Sequence, residues 1–378
     1  MNIACFVSAH GFGHATRTAA VMAALHHRRP AVRFEIYSEA PAWLFEESVG
    51  AGLTVHHAVR TDVGLVQKSP LEEDLPGTVA ALEDFLPFST ARVEALTRQV
   101  LAADCRLVLC DISPLGIAVA EAAGLPSVLV ENFTWDWIYE GYFQREAGLR
   151  EPARYLQRLF SSADLHIQTE PVCRPEPAAI RVAEPVSRRP RQSAAIVKAQ
   201  LGIAEADKMV LLTVGGVAYR WEGLHRLQGL SGVVFVVPGA APAFERRDNL
   251  VAIPQRSGFY HPDLVAAADA VVGKLGYSTL AETYQAGVPF AFLARQGFRE
   301  TAPLASFAKK KMGAIRLPDD ALEDGGWLEA LPGLLERSPD AKGPGNGDDA
   351  VAEILASKLP LETPPSGLNK TGLQSSPH

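Results

Sequence analysis

The stretch NIACFVSAHGFGHATRT, residues 2–18, carries the first decision about the fold. Ile3–Val7 is an apolar run too short for a buried helix, so it reads as a buried strand. Gly11 and Gly13 follow as a tight turn. Ala15–His27 then places apolar residues at helical spacing and basic residues at its end, where they complement the helix dipole. Strand, glycine turn and helix make the first half of a parallel βαβ unit.

Moving outward, the unit recurs. Arg33–Ser38, Leu53–Val59, Arg106–Cys110, Ser127–Val130 and Leu165–Gln168 read as strands, and Ala40–Ser48 and Ile117–Ala123 as helices, the latter closed by Gly124. Such alternation predicts a doubly wound parallel sheet. PVSRRPR, residues 185–191, breaks the pattern and predicts a domain boundary, with an amino-terminal domain over 1–184. Alternation restarts at Met209–Val214 and continues through Val233–Val237, Leu250–Ile253, Ala270–Gly273 and Phe290–Leu293, ending in a helix over Ala321–Glu336. The second domain is therefore expected over 185–338. Residues 339–378 read as a largely disordered tail, with a short amphipathic helix near 350–359 that could cross back over the first domain. The predicted class is α/β, two Rossmann-like doubly wound parallel-sheet domains facing a cleft.

Composition agrees and excludes. A chain of 378 residues exceeds one ordinary core, and 47% hydrophobic with 21% charged residues is globular composition. No apolar run approaches the roughly 20 residues that cross a bilayer. A net charge of −7 gives no drive toward a nucleic-acid backbone. Four cysteines show no C-x-x-C, three of them in or beside apolar strand-like runs that suit buried free thiols, and with no signal peptide ahead they read as those of a reduced cytoplasmic protein.

Four places could carry chemistry. In SAHGFGHATRT, Thr16 stands where a dinucleotide fingerprint needs its third glycine. Two histidines, His10 and His14, flank the glycine turn instead, and His14 at the helix start suits a proton acceptor. Arg17, one turn on, could hold an anion or be solvated. In VVGKLGYSTLAETYQAGVP, residues 271–289, a strand meets a helix predicted to begin near Ser278 as N-cap. Gly276, Ser278 and Thr279 suit a diphosphate, Lys274 adds charge, and Glu282 suits the hydroxyls of a ribose or merely caps the helix. Gly215 and Gly216 end the first strand of the second half, at the sheet edge where ligands gather. ENFTWDWIYEGY, residues 131–142, explains much of itself as core packing, yet Asn132, Trp135 and Asp136 would also suit a sugar surface. Phosphate-loop, nucleophile-elbow and zinc-hydrolase motifs and an Asp-x-Asp metal pair are missing, so no metal site is expected.

These residues resemble glycosyltransferases of the GT-B fold, such as the plant UDP-glycosyltransferases. AHGFGHATR (9–17), DVGLVQ (62–67), NFTWDW (132–137), FYHPDLVAAAD (259–269) and GKLGYSTLAET (273–283) more closely resemble the glycosyltransferase-like amino-terminal domain of L-arabinokinases and its stand-alone bacterial relatives. The resemblance spans roughly residues 1–340 and does not imply kinase activity. It implies a nucleoside diphosphate sugar, a UDP-sugar first, as co-substrate and no other cofactor. Gly215, Gly216, Lys274, Gly276, Ser278, Thr279, Glu282, Gln296, Arg299 and Glu300 would meet the donor. His10, Gly13, Asp62, Gln67, Asn132, Trp135 and Asp136 would meet an unidentified acceptor. His14 is the expected base of a metal-independent inverting transfer, with Asp111 at a strand end as the alternative base. The acid and amide that bind sugar hydroxyls in plant enzymes give way here to RQGFRET, residues 295–301, which leaves the sugar open. A non-catalytic nucleotide-sugar sensor and a nucleotide-sugar epimerase are the rival readings.

Overall fold

The computed structural model describes residues 1–69, 72–215, 227, 230–319, 321, 325–337 and 345–359. The first half contributes strands β1 (Asn2–Val7), β2 (Arg33–Tyr37), β3 (Thr54–His57), the two short strands β4 (Gln67–Ser69) and β5 (Glu72–Glu73), then β6 (Cys105–Asp111), β7 (Ser127–Glu131), β8 (Leu165–Thr169) and β9 (Arg181–Ala183). The second contributes β10 (Lys208–Thr213), β11 (Val233–Pro238), β12 (Glu245–Arg247), β13 (Leu250–Ile253), β14 (Ala270–Lys274), β15 (Phe290–Leu293) and β16 (Ile315–Arg316).

Among the described residues these form two seven-stranded sheets, ordered β3-β2-β1-β6-β7-β8-β9 and β12-β13-β11-β10-β14-β15-β16, while β4 and β5 pair as a separate ribbon. The first sheet is parallel throughout, and in the second only the edge strand β12 runs antiparallel. The chain winds outward from β1 through β2 and β3, then returns to the other side of β1 as β6. It repeats the manoeuvre around β10, returning as β14. Each reversal opens a crevice beyond the carboxyl ends of the two strands, where α/β sheets bind ligands.

Two glycines show why the local sequence is needed. Gly11 caps helix Phe12–Arg28 at φ +81°, a conformation that a side chain would strain. Gly273 in β14 passes so close to β10 that a Cβ would sit 1.9 Å from the Thr213 carbonyl oxygen. The predicted helix over Ala321–Glu336 is not continuous where described: Gly325 takes a left-handed φ, a 3₁₀ turn covers Gly326–Ala330, and a short helix follows at Leu331–Leu335.

Helices cover both faces of each sheet. The helix Gly347–Lys358 leaves the second domain and lands on the first, where Val351, Ala352 and Leu355 are fully buried against residues of helix Phe12–Arg28 and the sheet beneath it. Its entry is tied to the outgoing connection. Asn346 accepts from Ser187 N at 3.1 Å and donates to Ser187 O at 2.7 Å, and Arg189 forks onto Asp348 with two bonds of 2.8 Å. Among the described residues no helix is long and apolar enough to cross a membrane. Cys5, Cys105 and Cys110 are buried free thiols and Cys173 a partly buried one.

Candidate active site

Both crevices face one another. Helix Phe12–Arg28, starting beyond β1, and helix Tyr277–Ala286, starting beyond β14, approach closely enough that a Cβ on Gly13 would lie 3.6 Å from the Cβ of Tyr277. Neither amino terminus has a side-chain cap. Two sets of free N–H groups and two positive dipole ends therefore open onto a shared cavity, an arrangement that favours anions. The second helix begins at Tyr277 with Gly276 as its cap, so Ser278 lies inside the first turn and is not the predicted N-cap.

The cavity holds about 470 Å³. His10, Gly13, His14 and Gln67 line it from the first domain, and Gly215, Lys274, Gly276, Ser278, Thr279 and Glu300 from the second. A narrow extension of about 50 Å³ shares the wall formed by Phe12, Gly215, Ser278 and Thr279, and continues to Pro238, Gln255, Phe259, His261 and Arg188. Gly216 lies outside the described residues.

His14 is held from behind. Its Nδ1 lies 2.9 Å from Asp111 Oδ1, at the end of β6. Arg17 forks onto the same carboxylate, Nε to Oδ2 at 2.8 Å and Nη2 to Oδ1 at 2.5 Å, and Thr18 donates to Oδ2 at 3.0 Å. Burial alone would raise the Asp111 pKa, but Arg17 and the hydrogen bonds from Arg17 and His14 outweigh it and hold the group below the usual carboxylate range. An ionised Asp111 is acceptor-only, so the His14 tautomer that hydrogen-bonds it carries its proton at Nδ1 and its lone pair at Nε2, with Arg17 Nη2 3.2 Å from the same Nδ1. Asp111 is thus the orienting partner of His14. With 1% exposure and its oxygens taken, it is not placed as an independent base. Arg17 is neither a surface residue nor an anion ligand. It is fully buried, its Nη1 donates to Asn132 Oδ1 at 2.7 Å, and it packs 4.8 Å over the Tyr277 ring.

His10 lies beside the edge of Trp135, with ring centroids 5.0 Å apart. Burial first, then His14, Arg295 and Lys274, pull its pKa from 6.5 to about 3, so it stays neutral. Lys274 is itself pushed down, by burial and then by Arg295. Glu300 is pushed up by burial, partly offset by the 2.8 Å hydrogen bond from Asn132 Nδ2.

Several expected ligand contacts turn out to be supports. Trp135 is fully buried and donates from Nε1 to Asp62 at 2.9 Å, so this pair braces His10 from beneath. Asn132 is buried between Arg17 and Glu300. Glu282 is also buried: Oε1 accepts from Arg188 Nε and Nη2 at 3.1 and 3.0 Å, and Oε2 lies 2.7 Å from His261 Nδ1. Burial would raise its pKa, yet Arg188 and His261 keep it below the usual range. Its partners, rather than Glu282, line the narrow extension.

Three residues fall elsewhere. Asp136 lines a separate cavity of about 250 Å³ in the first domain and pairs with Arg174 at 2.8 Å, because the helix it starts turns that face away from the cleft. Gln296 is exposed and donates to Asp319. Arg299 lies over Trp137 at 4.3 Å and pairs with Glu140 at 3.1 Å, clasping the two domains. Of RQGFRET it is Arg295, Phe298, Glu300 and Thr301 that line the cavity. Arg188, His261 and Arg295 were missed as site residues; a charged residue just past a strand end was the available signal for Arg295.

The fold is the GT-B fold of glycosyltransferases. A UDP-glucosyltransferase from Polygonum tinctorium superposes with a TM-score of 0.59 at 12% identity, covering 94% of this chain and 98% of that one. UGT89C1 of Arabidopsis thaliana, solved with UDP, gives 0.61 at 15% identity over 94% and 98%, and SnogD of Streptomyces nogalater 0.53 at 17% over 94% and 99%. In sequence, the chain is similar to the L-arabinokinase of Arabidopsis thaliana, with 31% identity over 362 residues, 93% of this chain. It spans about a third (34%) of that protein's length. No family model matches.

Proposed function

We propose that the protein is a glycosyltransferase that moves a sugar from a nucleoside diphosphate sugar, a UDP-sugar first, to an acceptor hydroxyl. The observation that carries the reading is the 2.9 Å His14–Asp111 pair facing, across one cavity, the uncapped helix start at Gly276–Thr279 with Lys274 beside it. The nucleoside would occupy the narrow extension, with Gln255 and Phe259 near the base and Glu282, through Arg188 and His261, governing the ribose end. The diphosphate would lie on the shared wall at Ser278 and Thr279.

His14 Nε2 removes the proton of the acceptor hydroxyl as the oxygen bonds to the anomeric carbon. The bond from that carbon to the diphosphate oxygen breaks on the opposite face, which inverts the centre. The charge growing on the leaving diphosphate meets free N–H groups, a helix dipole and the Lys274 ammonium, so the step draws on fixed charge rather than a metal ion. Asp111 steadies the imidazolium that forms, and Arg17 keeps Asp111 ionised.

Incubation with UDP-, GDP- and dTDP-sugars, monitored for released nucleotide or a new sugar, tests the reading. Nucleotide release is expected with at least one of them. A donor that binds and is never consumed would favour a sensor, and a new nucleotide sugar an epimerase. His14→Ala should abolish turnover while UDP affinity holds; unchanged turnover would remove His14 from the mechanism.

A further inference from the structure

Arg295 is a buried cation whose nearest anion, Glu73, stands too far away to hydrogen-bond it. Its side chain is 7% exposed, it lines the 470 Å³ cavity, and its Nε and Nη2 are buried with no hydrogen-bond partner among the described residues. Glu73 Oε2 stands 3.8 Å from Nη2, too far for a hydrogen bond. Glu73 is moreover engaged by Arg145 at 2.6 Å. Phe298, 5.3 Å below the guanidinium, holds its plane without supplying charge. A guanidinium left so is costly unless an anion joins it.

The other ionisable groups facing the cavity do not cancel this charge. His10 is held neutral by burial, Lys274 is a second cation, and Glu300 is a single carboxyl, pushed up by burial and already engaged by Asn132. Lys274 ends β14 at the start of helix Tyr277–Ala286, so it belongs to the diphosphate wall. Arg295 follows the neighbouring strand β15, one strand further along the cleft.

We infer that Arg295 marks a subsite for a second anionic group, a carboxylate or phosphate lying beyond the donor diphosphate. This rests on the nucleotide-sugar reading and narrows its substrate class. The group belongs either to the transferred sugar, as in a uronic acid, or to the acceptor, as in a sugar phosphate. Two parallel guanidinium N–H groups, Nε and Nη2, match the two oxygens of such a group in a bidentate pair.

Calorimetry on the intact protein separates the possibilities. UDP, UDP-glucose and UDP-glucuronate are titrated first, then glucose and glucose 6-phosphate onto the UDP-saturated protein, each with wild type, Arg295→Gln and Arg295→Lys. The expected result is a preference of about tenfold or more for the anionic member of one pair, the size of a charge-assisted bidentate contact. Arg295→Gln should erase it, Arg295→Lys should restore part, and UDP affinity should stay unchanged. A preference in the first series assigns the anion to the donor, one in the second to the acceptor. No preference in either wild-type series overturns the inference, whether or not the variants fold. So does equal weakening of UDP and every UDP-sugar by Arg295→Gln, which would place the guanidinium on the diphosphate. If wild type fails to bind UDP at all, the nucleotide-sugar reading falls and takes this inference with it.

Discussion

Arg17 has the most committed side chain of the site. Replacing it by Met leaves Asp111 buried without its guanidinium, and breaking a buried pair in this way costs about 3–5 kcal/mol. A loss of unfolding free energy of that order, measured by urea titration, is expected for Arg17→Met. In the protein that still folds, the Asp111 pKa should rise, moving the acidic limb of the turnover profile to higher pH. Arg17→Lys cannot make the fork and should recover little. His10 gives the pH dependence a sign. Its folded pKa of about 3 lies below the ordinary 6.5, so below pH 6.5 the unfolded chain takes up a proton that the native state refuses. The stability contributed by neutral His10 is complete above 6.5 and lost as the pH falls toward 3. Glu300 and Asp62, both pushed up by burial, act in the opposite sense nearer the carboxylate range. Between pH 7 and 5 urea unfolding should therefore show declining stability, and His10→Gln should flatten the slope. That His14 lines the cavity was legible at this scale because two histidines, His10 and His14, flank one glycine turn at a helix start. The roles of Asp62, Asn132 and Trp135 were not, since an amide, an acid and an indole look alike in sequence whether they grip a sugar or one another.

At the scale of elements, strand, turn and helix were legible wherever apolar runs and glycines alternate cleanly, as at β1, β6, β10 and β14. The β4–β5 ribbon escaped because a strand of two or three residues carries no periodicity. Ala321–Glu336 misled because its helical composition hides the interruption at Gly325. The direction in which helix Trp135–Glu140 turns Asp136 is a tertiary property, set by where Arg174 arrives from the far side of β8. Two substitutions measure the elements themselves. Gly273→Ala forces a methyl into the Thr213 carbonyl and should disrupt the β10–β14 pairing, collapsing UDP affinity together with stability. Leu355→Ala opens a cavity in the first core at a residue that lines neither part of the cleft cavity, with an expected loss of about 2–5 kcal/mol and little change in UDP affinity. Parallel urea and calorimetric titrations distinguish the two patterns.

The whole molecule is clasped along the cleft by Asn132–Glu300 and Arg299–Glu140 at one place, and by Arg188, which reaches Glu47 of the first domain at 2.5 Å and Glu282 of the second, at another. At about 50 Å³ the narrow extension is smaller than a nucleoside, so on the proposed reading the domains would part and close again to seat one. Small-angle scattering should register a change in radius of gyration on adding saturating UDP, and an unchanged profile would place the nucleoside elsewhere. The two-domain architecture was legible from the restart of alternation after residues 185–191. The clasps were not, because each joins residues more than ninety positions apart.

The two strands of chain that pass between the domains lie side by side, cross-tied through Ser187, Asn346, Arg189 and Asp348. Such a pair works like a door hung on two adjacent pins: it resists sliding and shear, and permits swinging about one line. Displacement then grows with distance from that line. An untying substitution such as Asn346→Ala would loosen the swing without touching a single cavity residue.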